Sequence, residues 1–381
     1  KTQTKNRNFA ANQACNEMNL AHIRQQHLRD SRVMRLTDLL QPQAEQSQPP
    51  VLQIQGLFTA QEAFVWYALQ QRTRRTVLVV ATDKEEAAHT ANNLETILER
   101  KDEVLFFPDS FAQPLRCDKI NRTQILQRTE TVSTLVQALK DKLPVFVVTY
   151  PEALAEKVVS PAALEGESIE IKKGERLDVK FLTEVLLEYG FEEVSFVMEP
   201  GQFAVRGGII DIYSYANDYP YRVDLFDEEV DSLRTFDPTT QLSVAKISAV
   251  RIVPNVNTRF SAKDKSSLLA LLPKDGSVIV AKNPILVAQR LEQAAEAAEQ
   301  ARGRFTSSSQ PTEEERNLLA AESFWSSADF ETEVAQYAFV QVSTELLLPA
   351  TQKAIRFSTQ AQASFRSEER RVGKECRSRW S

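Results

Sequence analysis

The chain has 381 residues, enough for roughly two or three domains that each bury a core, and its 42% apolar and 26% charged content is that of an ordinary soluble globular protein. A net charge of -6 argues against a basic nucleic-acid-binding domain and fits a protein partner better than bare DNA. The scattered Cys15, Cys117 and Cys376 and the histidines His22, His27 and His89 share no metal-ligand or disulfide spacing, which suits a reducing cytoplasm. With no run of about eighteen apolar residues and no charged-then-apolar leader, the chain reads as soluble and cytoplasmic, with no membrane partner and no metal site.

Residues 1–29 have weak periodicity and read as a poorly structured lead with at most a short helix. From 30 to 157 the pattern is an open parallel α/β layer. "TVLVVATD" (76–83) is a β-branched apolar run followed by an amphipathic helix; "EVLFFPDS" and "LPVFVVTY" repeat the strand signal around a second helix, "NRTQILQRTETVSTLVQALKD". From 158 to 254 the strands shorten, alternate at period two and are joined by polar turns, with one helix, "DVKFLTEVLLEYG", closed by Gly190 where a left-handed cap belongs. This reads as an α+β module inserted into the α/β domain, which resumes over 255–357 with the helical pattern "KDKSSLLALL", the strand "DGSVIVAKN" and a long alanine-rich helix. Residues 358–381 are a linker and a tail; Arg366, Arg370, Arg371, Arg377 and Arg379 make the tail basic, yet it follows from nothing before it and reads as an assembly scar to be left out of fold reasoning.

Gly56 stands between the apolar run 51–54 and an amphipathic helix, the setting of a phosphate-binding loop. Such a loop needs a second glycine, a lysine and a hydroxyl, whereas this frame has Gln61, Glu62 and Ala63 there. A carboxylate facing phosphate is repulsive, by about 4 kcal/mol for unit charges 4 Å apart at an effective dielectric near 20. The loop therefore reads as the shell of a nucleotide site, with no cofactor bound in this part of the molecule. "YRVDLFDEEVDSL" (221–233) ends in an acidic pair that could imitate a magnesium-holding motif, but its alternation suits a half-exposed antiparallel strand followed by a turn at Asp227-Glu228-Glu229. The basic run "QQRTRR" (70–75) reads as a solvated helix end.

"MEPGQFAVRGGIIDIYSY" (198–215) is the most informative stretch. Pro200-Gly201 marks a turn, and the pair Gly207-Gly208 marks a tight turn, a bulge or close backbone approach. Arg206 beside it, held on strand scaffolding, is placed either to fork onto a partner or to sit solvated at a hairpin.

"FAVRGGIIDIY" followed by "YPYRVDLFDEEVDSLRTFDPTTQ" resembles the damage-loading helicase subunit UvrB and, more closely, the amino-terminal region of the bacterial transcription-repair coupling factors (Mfd), on Arg206-Gly207, Phe226-Asp227-Glu228 and Phe236-Asp237-Pro238. The resemblance extends from about residue 30 to about 365 and implies a degenerate helicase-like α/β domain interrupted by an α+β domain. In UvrB the loop after the first strand is a working P-loop; Gln61, Glu62 and Ala63 place this chain with the coupling factors, where the inserted module binds UvrA. The resemblance carries that partner-binding role to Arg206, with Phe203 and Gly207 as supporting neighbours; the families also use an arginine after the preceding helix, where this chain has Phe191-Glu192-Glu193. It further implies that RNA polymerase, DNA, ATP and magnesium belong to downstream domains of an intact translocase. The alternatives are a UvrB-like ATP-dependent helicase fragment, which needs a lysine at position 62, and direct DNA binding by the α/β layer, against which stands the acidic balance.

Overall fold

The computed structural model describes residues 20–41, 48–57, 59–100, 103–113, 115–160, 163, 169–215, 219–253, 260, 262–308 and 313–358. Residues 20–29 form the short helix that the sequence reading allowed in this lead: Arg24 pairs with Glu99 at 3.1 Å and His27 stacks on Phe64. This helix, α1, is followed by α2 (Ser31–Leu39), whose N-cap Asp30 accepts from Arg32 N. The basic tail and residues 1–19 lie outside the described residues.

Seven parallel strands form the main sheet: β1 (Val51–Gln55), β2 (Thr76–Val80), β3 (Val104–Phe106), β6 (Phe146–Thr149), β17 (Ser277–Lys282), β18 (Ala338–Val342) and β19 (Ile355–Arg356), in the order β19-β1-β18-β17-β2-β6-β3. Buried on both faces, β2, β6 and β17 need the continuous apolar runs the sequence carries. The helices that follow β1 and β2 are α3 (Thr59–Thr73) and α4 (Lys84–Leu98), the second capped by Asp83. α5 (Arg122–Lys140) starts at the Asn121 cap, after the hairpin of β4 (Phe111–Gln113) and β5 (Arg116–Ile120); α6 (Pro151–Ala155) begins with proline, whose missing N–H costs a helix nothing at that position.

The chain between 169 and 252 builds sheets and a core of its own. β8 (Ile169–Lys172) pairs with β15 (Ala249–Ile252), and a six-stranded sheet runs β14-β13-β12-β11-β10-β9. Its strands are β9 (Glu192–Glu193), β10 (Gln202–Arg206), β11 (Ile209–Ile212), β12 (Tyr221–Phe226), β13 (Glu229–Phe236) and β14 (Ser243–Ile247). Helix α7 (Val179–Glu188) buries Leu182 and Leu186 against one face of this sheet, with Phe203, Ile210, Ile212, Val223 and Leu233. Gly190 ends α7 at φ +81°, with Phe191 N bonded to Leu186 O and Gly190 N to Leu187 O, so the expected left-handed cap is present.

Beyond this module the chain re-enters the main core. The expected helix over "KDKSSLLALL" is instead two 3-10 turns, Ala262–Asp264 and Leu269–Leu271, around β16 (Lys265–Ser266), which pairs with β7 (Val158–Val159). Pairing with β7 takes two residues out of the helical pattern, and Pro273 disfavours helix in the residue before it. The alanine-rich helix α8 (Pro284–Ser308) then precedes α9 (Glu313–Leu318) and α10 (Ser327–Val334), the last opened by a Ser326–Asp329 capping box.

Candidate functional site

Two places hold the residues singled out by sequence. One is the carboxyl edge of the parallel sheet, where α/β folds bind nucleotides. Gly56 turns the chain there with φ +75°, and a Cβ on it would collide with the Phe357 carbonyl oxygen of the edge-strand segment. The glycine is thus explained by backbone geometry alone. Gln61 is half-buried, Ala63 is buried, and Glu62, in the first turn of α3, is only 3% exposed.

The cation that answers Glu62 comes from across the sheet. Lys282, the last residue of β17, places its ammonium 2.8 Å from Glu62 Oε2 and also pairs with Glu86 in the first turn of α4. Glu86 accepts as well from Thr82 N at 2.9 Å and Thr82 Oγ1 at 2.6 Å. Burial pushes the Glu62 carboxyl up despite Lys282, whereas the bonds from Lys282 and Thr82 outweigh burial and hold Glu86 below the usual range. Burial alone would lower Lys282, but the two carboxylates raise it. Where a P-loop offers a cation to phosphate, this edge offers an anion to its own lysine. Sequence reading found Glu62 but missed Lys282 and Glu86, which stand next to it only once β17 lies beside β2.

A second buried polar cluster was also missed. Arg128 donates to the carbonyls of Pro108, Ala153 and Glu156, while Glu156 accepts from Ser110 N. Lys265 bonds Asn317 O and Ser323 Oγ nearby, and burial pushes its ammonium down to about 8. A cleft of about 1190 Å³ lies at the opposite, amino edge of the sheet, between residues such as Gln70, Arg74 and Glu103 and the module's Tyr221 and Arg251. Its mixed charges select no ligand class. Among the described residues no three His, Cys, Asp or Glu side chains gather as metal ligands, and no helix is long and apolar enough to cross a membrane.

The other place is the sheet face of the inserted module turned away from α7. β10 and β11 form a hairpin in which Arg206 pairs with Ile209 and Gly207-Gly208 make the turn; Gly207 has φ +60°, positive at the first loop position as a type II′ turn requires. Arg206 is already engaged: it donates to Ser195 O at 3.1 Å, pairs with Asp211 and lies 4.9 Å over the Phe196 ring, with a third of its side chain exposed. Phe203 is wholly buried in the core under α7, so its side chain cannot touch a partner. Any support Phe203 lends to Arg206 is from within the core: position 203 faces the helix, and Arg206 the other side.

Exposed aromatic groups lie near Arg206, beside the exposed Ile209 opposite it. The loop after β9 crosses this face, burying Val197 against Ala204, Tyr213 and Phe236 and leaving Phe196 61% exposed. Phe226, 81% exposed, ends β12 beside the Gly207-Gly208 turn, where Leu225 N bonds Gly208 O. The turn expected at 227–229 forms at Asp227 (φ +61°) and Glu228, and Glu229 begins β13. Glu192 and Glu193 stand exposed on β9.

An arginine backed by exposed aromatics on a rigid sheet is the make-up of a protein-docking module. Residues 169–257 match the family described as the UvrB interaction domain. More widely, the chain is similar to transcription-repair coupling factors, with 28% identity over 186 residues to that of Haemophilus influenzae (49% of this chain, 16% of the relative), 35% over 123 residues to that of Escherichia coli (32% and 11%) and 27% over 200 residues to that of Bacillus subtilis (52% and 16%). The resemblance read from the Arg206-Gly207 strand is therefore confirmed, as is the mixed α/β architecture with a parallel sheet and a UvrB-like module. The matched part spans about one-sixth or less of the length of these relatives.

Proposed function

We propose that this chain is a non-catalytic recruitment module of a transcription-repair coupling factor, which binds UvrA in transcription-coupled nucleotide excision repair. The observation that carries the reading is the Arg206 face of the module, with Phe196 and Phe226 exposed beside it inside the matched interaction domain. In this reading residues 30–157 and 255–357 form one α/β scaffold and 158–254 the UvrA-binding insertion; the separate core of residues 171–252 supports such a division, while Val158, Val159 and Val253 at its margins pack with the scaffold. Residues 358–381 are the linker and tail. The molecule works in the cytoplasm.

The scaffold is proposed to bind no nucleotide. Supporting this, Glu62 takes the lysine position of a P-loop and is neutralised within the chain by Lys282, so phosphate would have to displace a buried ion pair and then face a carboxylate. ATP, magnesium, DNA translocation and the contact with RNA polymerase are assigned to other domains of the intact protein.

The test uses exposed positions whose loss leaves the core intact. Phe226→Ala and Phe196→Ala are expected to weaken UvrA binding by roughly tenfold each, the usual loss for an aromatic anchor, with unchanged unfolding midpoints. Wild-type affinity in the double variant would contradict this surface, and ATP binding by the folded wild-type chain would favour the UvrB-like helicase reading instead.

A further inference from the structure

The hydrogen bonds of Arg206 lead inward to a residue that no resemblance assigns. Asp211 on β11 is fully buried, opposite Ala204 of β10 and Arg222 of β12. Its carboxylate takes Arg222 as a fork, Nε to Oδ1 at 2.6 Å and Nη2 to Oδ2 at 2.8 Å, and Oδ2 also takes Nη2 of Arg206. Arg222 is fixed from behind: its Nη2 reaches Gln241 Oε1 at 2.9 Å and its guanidinium lies 4.2 Å over Phe236. One carboxylate thus serves two guanidinia, and one positive charge remains. Arg222 is the deeper of the two, 13% exposed in its side chain against 33% for Arg206, so the excess charge emerges at Arg206.

We propose that Asp211, held by Arg222, is the positioning residue that presents Arg206 to the partner, and that its buried carboxylate sets the direction in which the guanidinium points. This rests on the docking role given above to Arg206. Without Asp211 the guanidinium would keep only Ser195 O and the Phe196 ring of the contacts described. A long side chain freed in this way loses affinity because binding must then immobilise it. Asp211→Asn keeps the size and one acceptor oxygen but removes the charge that holds two arginines.

The experiment is a double-mutant cycle on the full 381-residue chain, with UvrA affinity and thermal midpoint measured for the wild type, Arg206→Ala, Asp211→Asn and the double variant. The expected result is that Asp211→Asn weakens binding roughly five- to tenfold in the wild-type background and has no further effect once Arg206 is alanine, while the midpoint falls in both backgrounds. Equal losses of affinity in both backgrounds would make Asp211 merely structural and overturn the proposal. Side-chain nitrogen NMR reads the same point without a partner: the Arg206 guanidinium should rotate slowly in the wild type and fast in Asp211→Asn, and fast rotation in the wild type would also overturn it. If Arg206→Ala binds UvrA as the wild type does, the docking role of Arg206 itself fails and this proposal with it; that result differs visibly from a cycle in which Arg206 matters and Asp211 does not.

Discussion

Replacing Lys282 by methionine removes the ammonium between Glu62 and Glu86 while keeping most of the side-chain volume. Glu86 retains Thr82 N and Oγ1 as donors, so the damage falls on Glu62, whose Oε2 has no aligned hydrogen-bond donor among the described residues. A buried carboxylate without its cation escapes by protonating, and this limits the loss. Counted from the unfolded value of 4.5, neutralisation costs at most about 3 kcal/mol at pH 7 and at most about 1 kcal/mol at pH 5.5, and less from the raised folded value of the wild type. The folded-state value of Glu62, already above 4.5 in the wild type, is then raised further, so the destabilisation grows as pH rises through the wild-type folded value and fades below it. Urea unfolding at the two pH values, with the denaturant slope unchanged, should therefore give a deficit of up to about 3 kcal/mol at pH 7 that shrinks or vanishes at pH 5.5. Lys282→Met with Glu62→Gln should recover most of the deficit at pH 7 and lose its pH dependence, because removing both partners leaves no orphan charge. No deficit at pH 7, or one indifferent to pH, would refute the view that this edge is closed by a buried ion pair.

Gly56→Ala forces a Cβ into the left-handed region and onto the Phe357 carbonyl, so a loss of at least about 2 kcal/mol is expected, with faster exchange of the Phe357 amide that now bonds Gln55 O. Unchanged exchange there would contradict the close approach. Lys265→Met probes the second cluster: the folded-state ammonium titrates near 8 against 10.5 unfolded, so the folded chain binds fewer protons between these values and wild-type stability should rise with pH across that window. The gain relative to Lys265→Met should reach on the order of 3 kcal/mol by pH 10.5, and a flat difference in thermal or urea unfolding would refute the assignment.

Much of the scaffold was legible because its signals are local. The β-branched apolar run at 76–80 forms the doubly covered strand its composition favours, and Gly190 satisfies a conformation few other residues adopt. What escaped was decided by tertiary partners. Glu62 announced a missing phosphate site, but its answer, Lys282, lies across the sheet on β17 and reaches it only through the strand order β18-β17-β2. Phe203 and Arg206 share a strand, and their distance along it fixes opposite faces; which face is solvent depends on α7 covering one side and the loop carrying Val197 crossing the other. The helical spacing at 263–272 was outweighed by the pairing of β16 with β7.

The central claim is tested most directly by titrating purified UvrA with the wild-type chain at low and moderate salt, folding being checked by circular dichroism on the same sample. The account predicts saturable binding with a Kd in the micromolar range or below, on the order of 8 kcal/mol of binding free energy, weakening as salt screens the Arg206 contact. No binding by the folded chain at either salt concentration would contradict the recruitment role.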